Sequence, residues 1–163
     1  MSLSFLSPSR CEPATLATPL RRALEHADPA VVRDVSLERI VEIRGNVDAF
    51  MPGAGELVRL SPRRAFLFTD EDPLDVIARA REAGALAYDA TGALAGLAIA
   101  NEQVLRRLTD LDLAGIPTAG PFARVTALFR RDADGWVCVY VQQELGHYVA
   151  EAVLDAIAGL EST

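Results

Sequence analysis

Residues 65–108 read AFLFTDEDPLDVIARAREAGALAYDATGALAGLAIANEQVLRRL, and this stretch decides the fold class. It opens with a short apolar run, residues 65–69, that predicts a β-strand. Asp72 then provides a helix N-cap, and Pro73 occupies the first helical position, where proline is favoured. Gly84 ends the predicted helix after about three turns. The first half of the stretch therefore predicts a strand followed by a helix.

The second half of the stretch predicts two strands and another helix. Strand-like runs at residues 85–89 and 94–99 flank a turn at Gly92, and we expect strands joined by so short a turn to pair antiparallel. Asn101 caps a second amphipathic helix. An alternating parallel α/β architecture is therefore disfavoured.

The C-terminal third adds a hairpin and a long helix. Residues 123–130 and 136–141 are strand-like and flank a turn at residues 132–135. The last element has apolar residues at helical spacing throughout: Leu145, Tyr148, Val149, Ala152, Val153, Ala156, Ile157 and Leu160. The sequence thus predicts an α+β fold. It is an antiparallel sheet with helices on one face, with a ferredoxin-like split βαβ core extended by a hairpin and a C-terminal helix.

Composition excludes several classes of function. The chain has 163 residues and a formal net charge of −7, and all of its basic residues are arginine. Without lysine it has no Schiff-base chemistry, no covalent pyridoxal phosphate and no Gly-Lys-Ser/Thr phosphate loop. The acidic balance disfavours nucleic-acid binding. No apolar run is long enough for a transmembrane helix, so we expect no membrane partner.

The N-terminal segment is predicted to be an arm that precedes a single folded domain. Residues 1–30 are expected to form an irregular or helical arm, with a short helix over residues 16–27, and residues 31–163 a single α+β domain. The start lacks the pattern of a secretory signal, which makes the cytoplasm the default location. Cys11 and Cys138 have no metal-ligand spacing.

Few residues are candidates for a site. Asp89 at a strand end is either a turn-forming residue or part of a small binding site. Arg124 and Arg130, six positions apart, are predicted to share one side of a strand and could bind a carboxylate or phosphate, although a solvated sheet edge or a subunit contact also explains them. His26 and His147 are both interpreted as surface helix residues.

The chain resembles the sarcosine oxidase gamma subunit family, within the folate-binding aminomethyltransferase (glycine-cleavage T-protein) superfamily. The resemblance spans about two thirds of the chain. It is carried by VEIRGN at 41–46, YDAT at 88–91, LTDLDL at 108–113, GPFAR at 120–124, and Tyr148, Val149, Asp155 and Ala156 in the closing helix. Thr91 stands where the family usually has serine, and Ala100-Asn101 where it has Gly-Pro.

The resemblance implies an aminomethyltransferase-like domain and a candidate ligand site around Asp89, Thr91, Arg124 and Arg130, with tetrahydrofolate as the candidate ligand. In the methyltransferase branch, a carboxylate begins the strand equivalent to residues 125–129 and engages the folate-linked reaction centre. Residues 113–131 here contain no Asp or Glu. The resemblance therefore implies a non-catalytic member without a catalytic residue.

Three functions follow from this sequence. The first is an accessory or assembly subunit of a sarcosine oxidase-type complex in one-carbon metabolism, with α- and β-type oxidase subunits as partners. The second is a stand-alone protein that binds folate or a small carboxylate through Asp89 and the arginines. The third is a homodimeric ferredoxin-like regulatory module.

Overall fold

The structure, a computed structural model, describes residues 18–162. Its nine strands are β1 (Val32–Asp34), β2 (Ile40–Arg44), β3 (Glu56–Ser61), β4 (Arg64–Phe68), β5 (Leu86–Asp89), β6 (Leu94–Ile99), β7 (Thr118–Phe122), β8 (Val125–Arg131) and β9 (Val137–Gln142). Its three α-helices are α1 (Pro73–Glu82), α2 (Glu102–Arg106) and α3 (Gly146–Glu161).

The strands form two antiparallel sheets. One has five strands in the order β1-β6-β9-β8-β7, and the other has four in the order β3-β4-β2-β5. The two sheets lie face to face, since Ile40 and Phe66 of the smaller sheet pack in one buried cluster with Leu94 and Tyr140 of the larger. We call the space between them the inter-sheet layer.

Helices cover the outer face of each sheet. Helices α2 and α3 pack on the five-stranded sheet through a cluster that includes Leu105 and Val153, and α1 packs on the four-stranded sheet through Val76 and Ala80. Every residue of β6 is buried because a helix layer lies on one side and a sheet on the other. This explains why its sequence, LAGLAI, does not alternate between apolar and polar residues.

The predicted α+β class is confirmed, with helices on one face of each sheet and a C-terminal helix at the end. Strands β4 and β5 flank β2 and are joined through α1, which is the split βαβ arrangement. The predicted N-cap of α1 is present, because Asp72 accepts a hydrogen bond from the Leu74 backbone N–H (2.8 Å).

One predicted pairing is wrong. The runs at 85–89 and 94–99 form β5 and β6, but these belong to different sheets. At the end of β5 the backbone of Ala90 donates to the Ile40 carbonyl (2.8 Å), which holds β5 against β2. Residues 90–93 then take the chain into the other sheet, where β6 pairs with β9. The prediction failed because β6 has apolar side chains on both faces, and it buries both of them as an inner strand of the five-stranded sheet.

The described part of the N-terminal arm joins the core. Residues 19–26 form successive turns, and Leu20 is fully buried beneath α3. Cys11, and the part of the predicted short helix before residue 18, lie outside the described residues. No strand was predicted over residues 118–122, where β7 lies and pairs along β8.

Candidate functional site

Asp89 and Thr91 form a turn. The Asp89 carboxylate accepts a hydrogen bond from the Thr91 backbone N–H (2.9 Å), and Thr91 Oγ1 accepts one from the Ile40 backbone N–H (3.2 Å). Both residues are exposed. Their hydrogen bonds tie the end of β5 to β2, which corresponds to the turn-forming interpretation of Asp89.

Arg124 lies in the turn between β7 and β8 and not within a strand. Its φ is 69° and that of Ala123 is 47°, so both residues adopt the left-handed conformation that a tight hairpin requires. The Arg124 side chain is exposed. Strand periodicity therefore does not place it on the same side as Arg130.

Arg130 lies at the end of β8, where its side chain reaches across the inter-sheet layer. Its Nε donates to Glu56 Oε2 of β3 (3.0 Å), and its Nη1 donates to Glu38 Oε2 in the loop before β2 (2.8 Å). The guanidinium also lies 5.3 Å from the centroid of the Phe68 ring. One arginine of the larger sheet is thus bonded to two carboxylates on the other side of the layer.

A buried tyrosine completes this cluster. The Tyr140 hydroxyl of β9 donates to Glu38 Oε2 (2.5 Å). Burial raises the pKa of Tyr140, and its hydrogen bond to Glu38 adds to this rise. Burial works to lower the pKa of Arg130, but the hydrogen bond with Tyr140, the charge of Glu38 and the hydrogen bond with Glu56 outweigh it, and the pKa is raised. Arg130 therefore stays a cation and Tyr140 a neutral phenol.

Glu38, Glu56 and Arg130 line a cleft of about 660 Å³, which we call the Arg130 cleft. Its charged lining residues are four acids and two arginines: Glu38, Glu56, Asp70, Glu71, Arg39 and Arg130. Of the four predicted ligand residues, only Arg130 lies in this cleft. Glu38 and Glu56 were not among the predicted residues, since nothing in their local sequence distinguishes them from other surface acids.

The charges of the Arg130 cleft determine what it can bind. Arg130 already has two carboxylate partners, and the lining has an excess of negative charge. The carboxylates of tetrahydrofolate would meet like charges here, so these residues do not fit the acidic end of that molecule. The cluster instead joins the two sheets at this end of the layer.

Two further properties of the described part of the chain are its potential metal ligands and the length and polarity of its helices. Residues 18–162 contain no group of three or more His, Cys, Asp or Glu side chains that could ligate a metal ion. His147 is exposed on α3 and lies 3.1 Å from Glu151, one turn further along. Among these residues, no helix is long and apolar enough to cross a membrane.

Comparison with known proteins shows the fold. No family model and no curated protein matches the sequence. Among solved structures, the chain is similar to a chain of the heterotetrameric sarcosine oxidase from Corynebacterium sp. U-96 in complex with pyrrole 2-carboxylate. The TM-score is 0.71 at 14% identity, and the similarity covers 88% of this chain and 95% of that chain. At this identity the likeness shows a related fold.

Proposed function

We propose that this chain is a non-catalytic accessory subunit of a multi-subunit amine oxidase of the heterotetrameric sarcosine oxidase type. Its partners would be the α- and β-type flavin oxidase subunits, and it would act with them in the cytoplasm. The observation that carries this proposal is the structural similarity, which extends over nearly the whole of a chain from such a complex.

The chemistry of β8 supports a non-catalytic role. The start of this strand is where the resemblance places the carboxylate of the methyltransferase branch. Val125 and Thr126 begin the strand here, and the cavity that they line contains no Asp or Glu among its lining residues. Glu38 and Glu56 approach the other end of β8 and are bonded to Arg130. A general acid or base is therefore missing where the family would need it.

The edge of the four-stranded sheet supports a contact with another protein. Strand β5 is the last strand of that sheet, and within residues 18–162 it pairs only with β2. Leu86 and Tyr88 lie on one side of it and are 59% and 49% exposed. An open strand edge with neighbouring apolar side chains is a surface that a protein partner covers.

Co-expression with the candidate oxidase subunits from the same genome tests the proposal. We expect a stable complex in size-exclusion chromatography with light scattering. We also expect the isolated chain to release no hydrogen peroxide from sarcosine. The double variant Leu86→Asp/Tyr88→Asp should lose the complex while keeping its circular dichroism spectrum, and Leu74→Asp, at an exposed position on α1, should keep the complex.

Three results would contradict the proposal. They are amine oxidation or folate-dependent demethylation by the isolated chain, failure to bind any such subunit, and a tight homodimer in place of the complex. A homodimer that is lost in the Leu86→Asp/Tyr88→Asp variant would support the regulatory module instead.

A further inference from the structure

A second cavity opens at the opposite end of the inter-sheet layer. Its volume is about 350 Å³, and we call it the Arg64 cavity. It lies beside the turn between β3 and β4 and beside the start of β8. Its walls come from both sheets, with Leu60, Arg64 and Phe66 on one side and Leu94, Thr126 and Leu128 on the other.

The interior of the Arg64 cavity is apolar. Phe66, Leu94 and Leu128 are each no more than 7% exposed, and the Tyr140 ring is completely buried. The Tyr140 hydroxyl is bonded at the other end of the layer, to Glu38, so it does not make this interior polar. Protein interiors are close-packed, and a space of this size between two sheets is room for a small apolar molecule.

Polar groups are limited to a few side chains of the lining. These are Arg64, Thr126 and Gln142, and the lining contains no carboxylate. The polar neighbours of the apolar space are therefore a guanidinium, a hydroxyl and an amide. All three can donate a hydrogen bond to an anion.

Arg64 belongs to a group of charges with a surplus cation. Glu42 Oε1 accepts from Arg64 Nε (2.5 Å) and from Arg44 Nε (2.7 Å), and Glu42 Oε2 accepts from Arg44 Nη2 (3.0 Å). One carboxylate thus serves two guanidiniums. Within residues 18–162 no acceptor is bonded to the two terminal nitrogens of Arg64, which leaves donors for a further anion.

We propose that the Arg64 cavity binds a small apolar monocarboxylate, whose hydrocarbon part fills the space between the sheets and whose carboxylate pairs with Arg64. An alcohol of the same length would gain the apolar contacts but not the ion pair. A dicarboxylate would have to bury its second charge among Phe66 and Leu94, which costs free energy. The site therefore favours a ligand with a single negative charge and a single apolar hydrocarbon part.

Isothermal titration of the isolated full chain with octanoate and with octanol tests this inference. We expect saturable binding of octanoate with one site per chain, and binding of octanol at least about tenfold weaker because the charge-assisted hydrogen bonds are missing. The variant Arg64→Gln should weaken octanoate binding about tenfold and leave octanol binding unchanged. Arg63→Gln makes the same change in net charge at the neighbouring exposed position and should bind octanoate as the unaltered chain does.

A variant that fills the space separates binding in the cavity from binding on the surface. Thr126→Phe adds a ring at an exposed position in the lining, and we expect it to abolish binding of both ligands. Gln103→Phe adds the same ring at an exposed position of α2 outside this lining and should bind octanoate normally. Equal affinity for octanoate and octanol, unchanged binding in Thr126→Phe, or no binding of octanoate would each overturn the proposal. Since the isolated chain is used, none of these results bears on assembly with oxidase subunits.

Discussion

Both ends of the inter-sheet layer have ion pairs between arginine and glutamate, but the ratio of guanidiniums to carboxylates differs between them. At the Arg130 cleft, one guanidinium is bonded to two carboxylates and lies beside a buried tyrosine hydroxyl. At the Arg64 cavity, two guanidiniums share one carboxylate. Between the two ends lie apolar side chains, with Phe68 and Tyr140 in contact at 4.6 Å between ring centroids.

From this difference we infer that the ratio of guanidiniums to carboxylates, and not the presence of an arginine alone, decides which ligands each end accepts. Arg130 was a candidate ligand-binding residue on the sequence, but its partners already neutralise it, and its role is to join the sheets. Arg64 was not a candidate, yet within residues 18–162 its two terminal nitrogens have no bonded acceptor, and it lines an apolar space. In a chain with a net charge of −7, a local surplus of positive charge also steers anions toward that end.

The largest expected effect is at the Arg130 cleft. Arg130→Met keeps the side-chain stem but leaves Glu38 and Glu56 close together without a cation. We expect the free energy of unfolding to fall by about 2–3 kcal/mol, since a partly buried ion pair loses one partner. Urea unfolding followed by circular dichroism measures this. Arg124→Met, at an exposed turn, should change stability by less than about 0.5 kcal/mol. Equal losses in the two variants would show that the cluster does not join the sheets.

Removing the tyrosine hydroxyl should have a smaller effect on the same end. Tyr140→Phe removes the donor to Glu38 Oε2 and keeps the ring that packs on Phe68. We expect a loss of about 1 kcal/mol in urea unfolding, the usual contribution of one buried hydrogen bond. Tyr88→Phe makes the same change on the surface of β5 and serves as the control. If Tyr140→Phe is as stable as the unaltered chain, the hydroxyl does not contribute to the cluster.

At the Arg64 end, the expected effect depends on pH. Burial alone would raise the pKa of Glu42, but its hydrogen bonds to Arg44 and Arg64 outweigh this, and the pKa lies below the ordinary value of 4.5. A carboxyl with a lowered pKa in the folded state stabilises the fold above its unfolded pKa and loses this contribution as the pH falls through the folded pKa. Glu42→Gln should therefore cost about 1 kcal/mol at pH 7.

The pH series provides the check on this expectation. The stability difference between Glu42→Gln and the unaltered chain should shrink as the pH falls below 4.5, because the unfolded chain takes up the proton first and the folded chain takes it up only at lower pH. Glu144→Gln changes an exposed carboxylate and should stay within about 0.5 kcal/mol at pH 7. A difference that is constant from pH 7 to acid would mean that the charge of Glu42 is not what stabilises this end.

Much of the fold could be predicted from the sequence because its signals are local. The cap at Asp72 and Pro73 begins α1, and the period of apolar residues defines α3. The turn at residues 132–135 joins β8 and β9 as predicted. The division into two sheets was not predictable in this way. A short connection such as residues 90–93 is compatible with a hairpin and also with a crossing from one sheet to the other. The strand after it, β6, is buried on both faces, so its sequence does not alternate between apolar and polar residues.

The candidate sites show the limit of local patterns more clearly. Arg130 was found from its place on a predicted strand, but its carboxylate partners Glu38 and Glu56 are 92 and 74 positions away in the sequence. The group of Glu42, Arg44 and Arg64 likewise forms only when β2 pairs with β4, where Arg44 lies opposite Arg64. Strand order decides which charged side chains pair, and the local patterns of a single sequence do not predict that order.

The smallest expected effect is the alkylation of Cys138, and it tests whether solvent reaches the interior of the inter-sheet layer. This thiol is fully buried on β9, and burial, together with the charge of Glu38, raises its pKa from 9.0 to about 11. The thiolate fraction at pH 8 should be roughly a hundredfold below that of an ordinary cysteine.

In a Cys11→Ser variant, we expect no iodoacetamide adduct by mass spectrometry under native conditions and one adduct per chain in urea. Saturating octanoate should not change the native result, because the Arg64 cavity does not include Cys138 in its lining. Rapid native alkylation would show that solvent enters the layer and that its two ends are not separated by a packed interior.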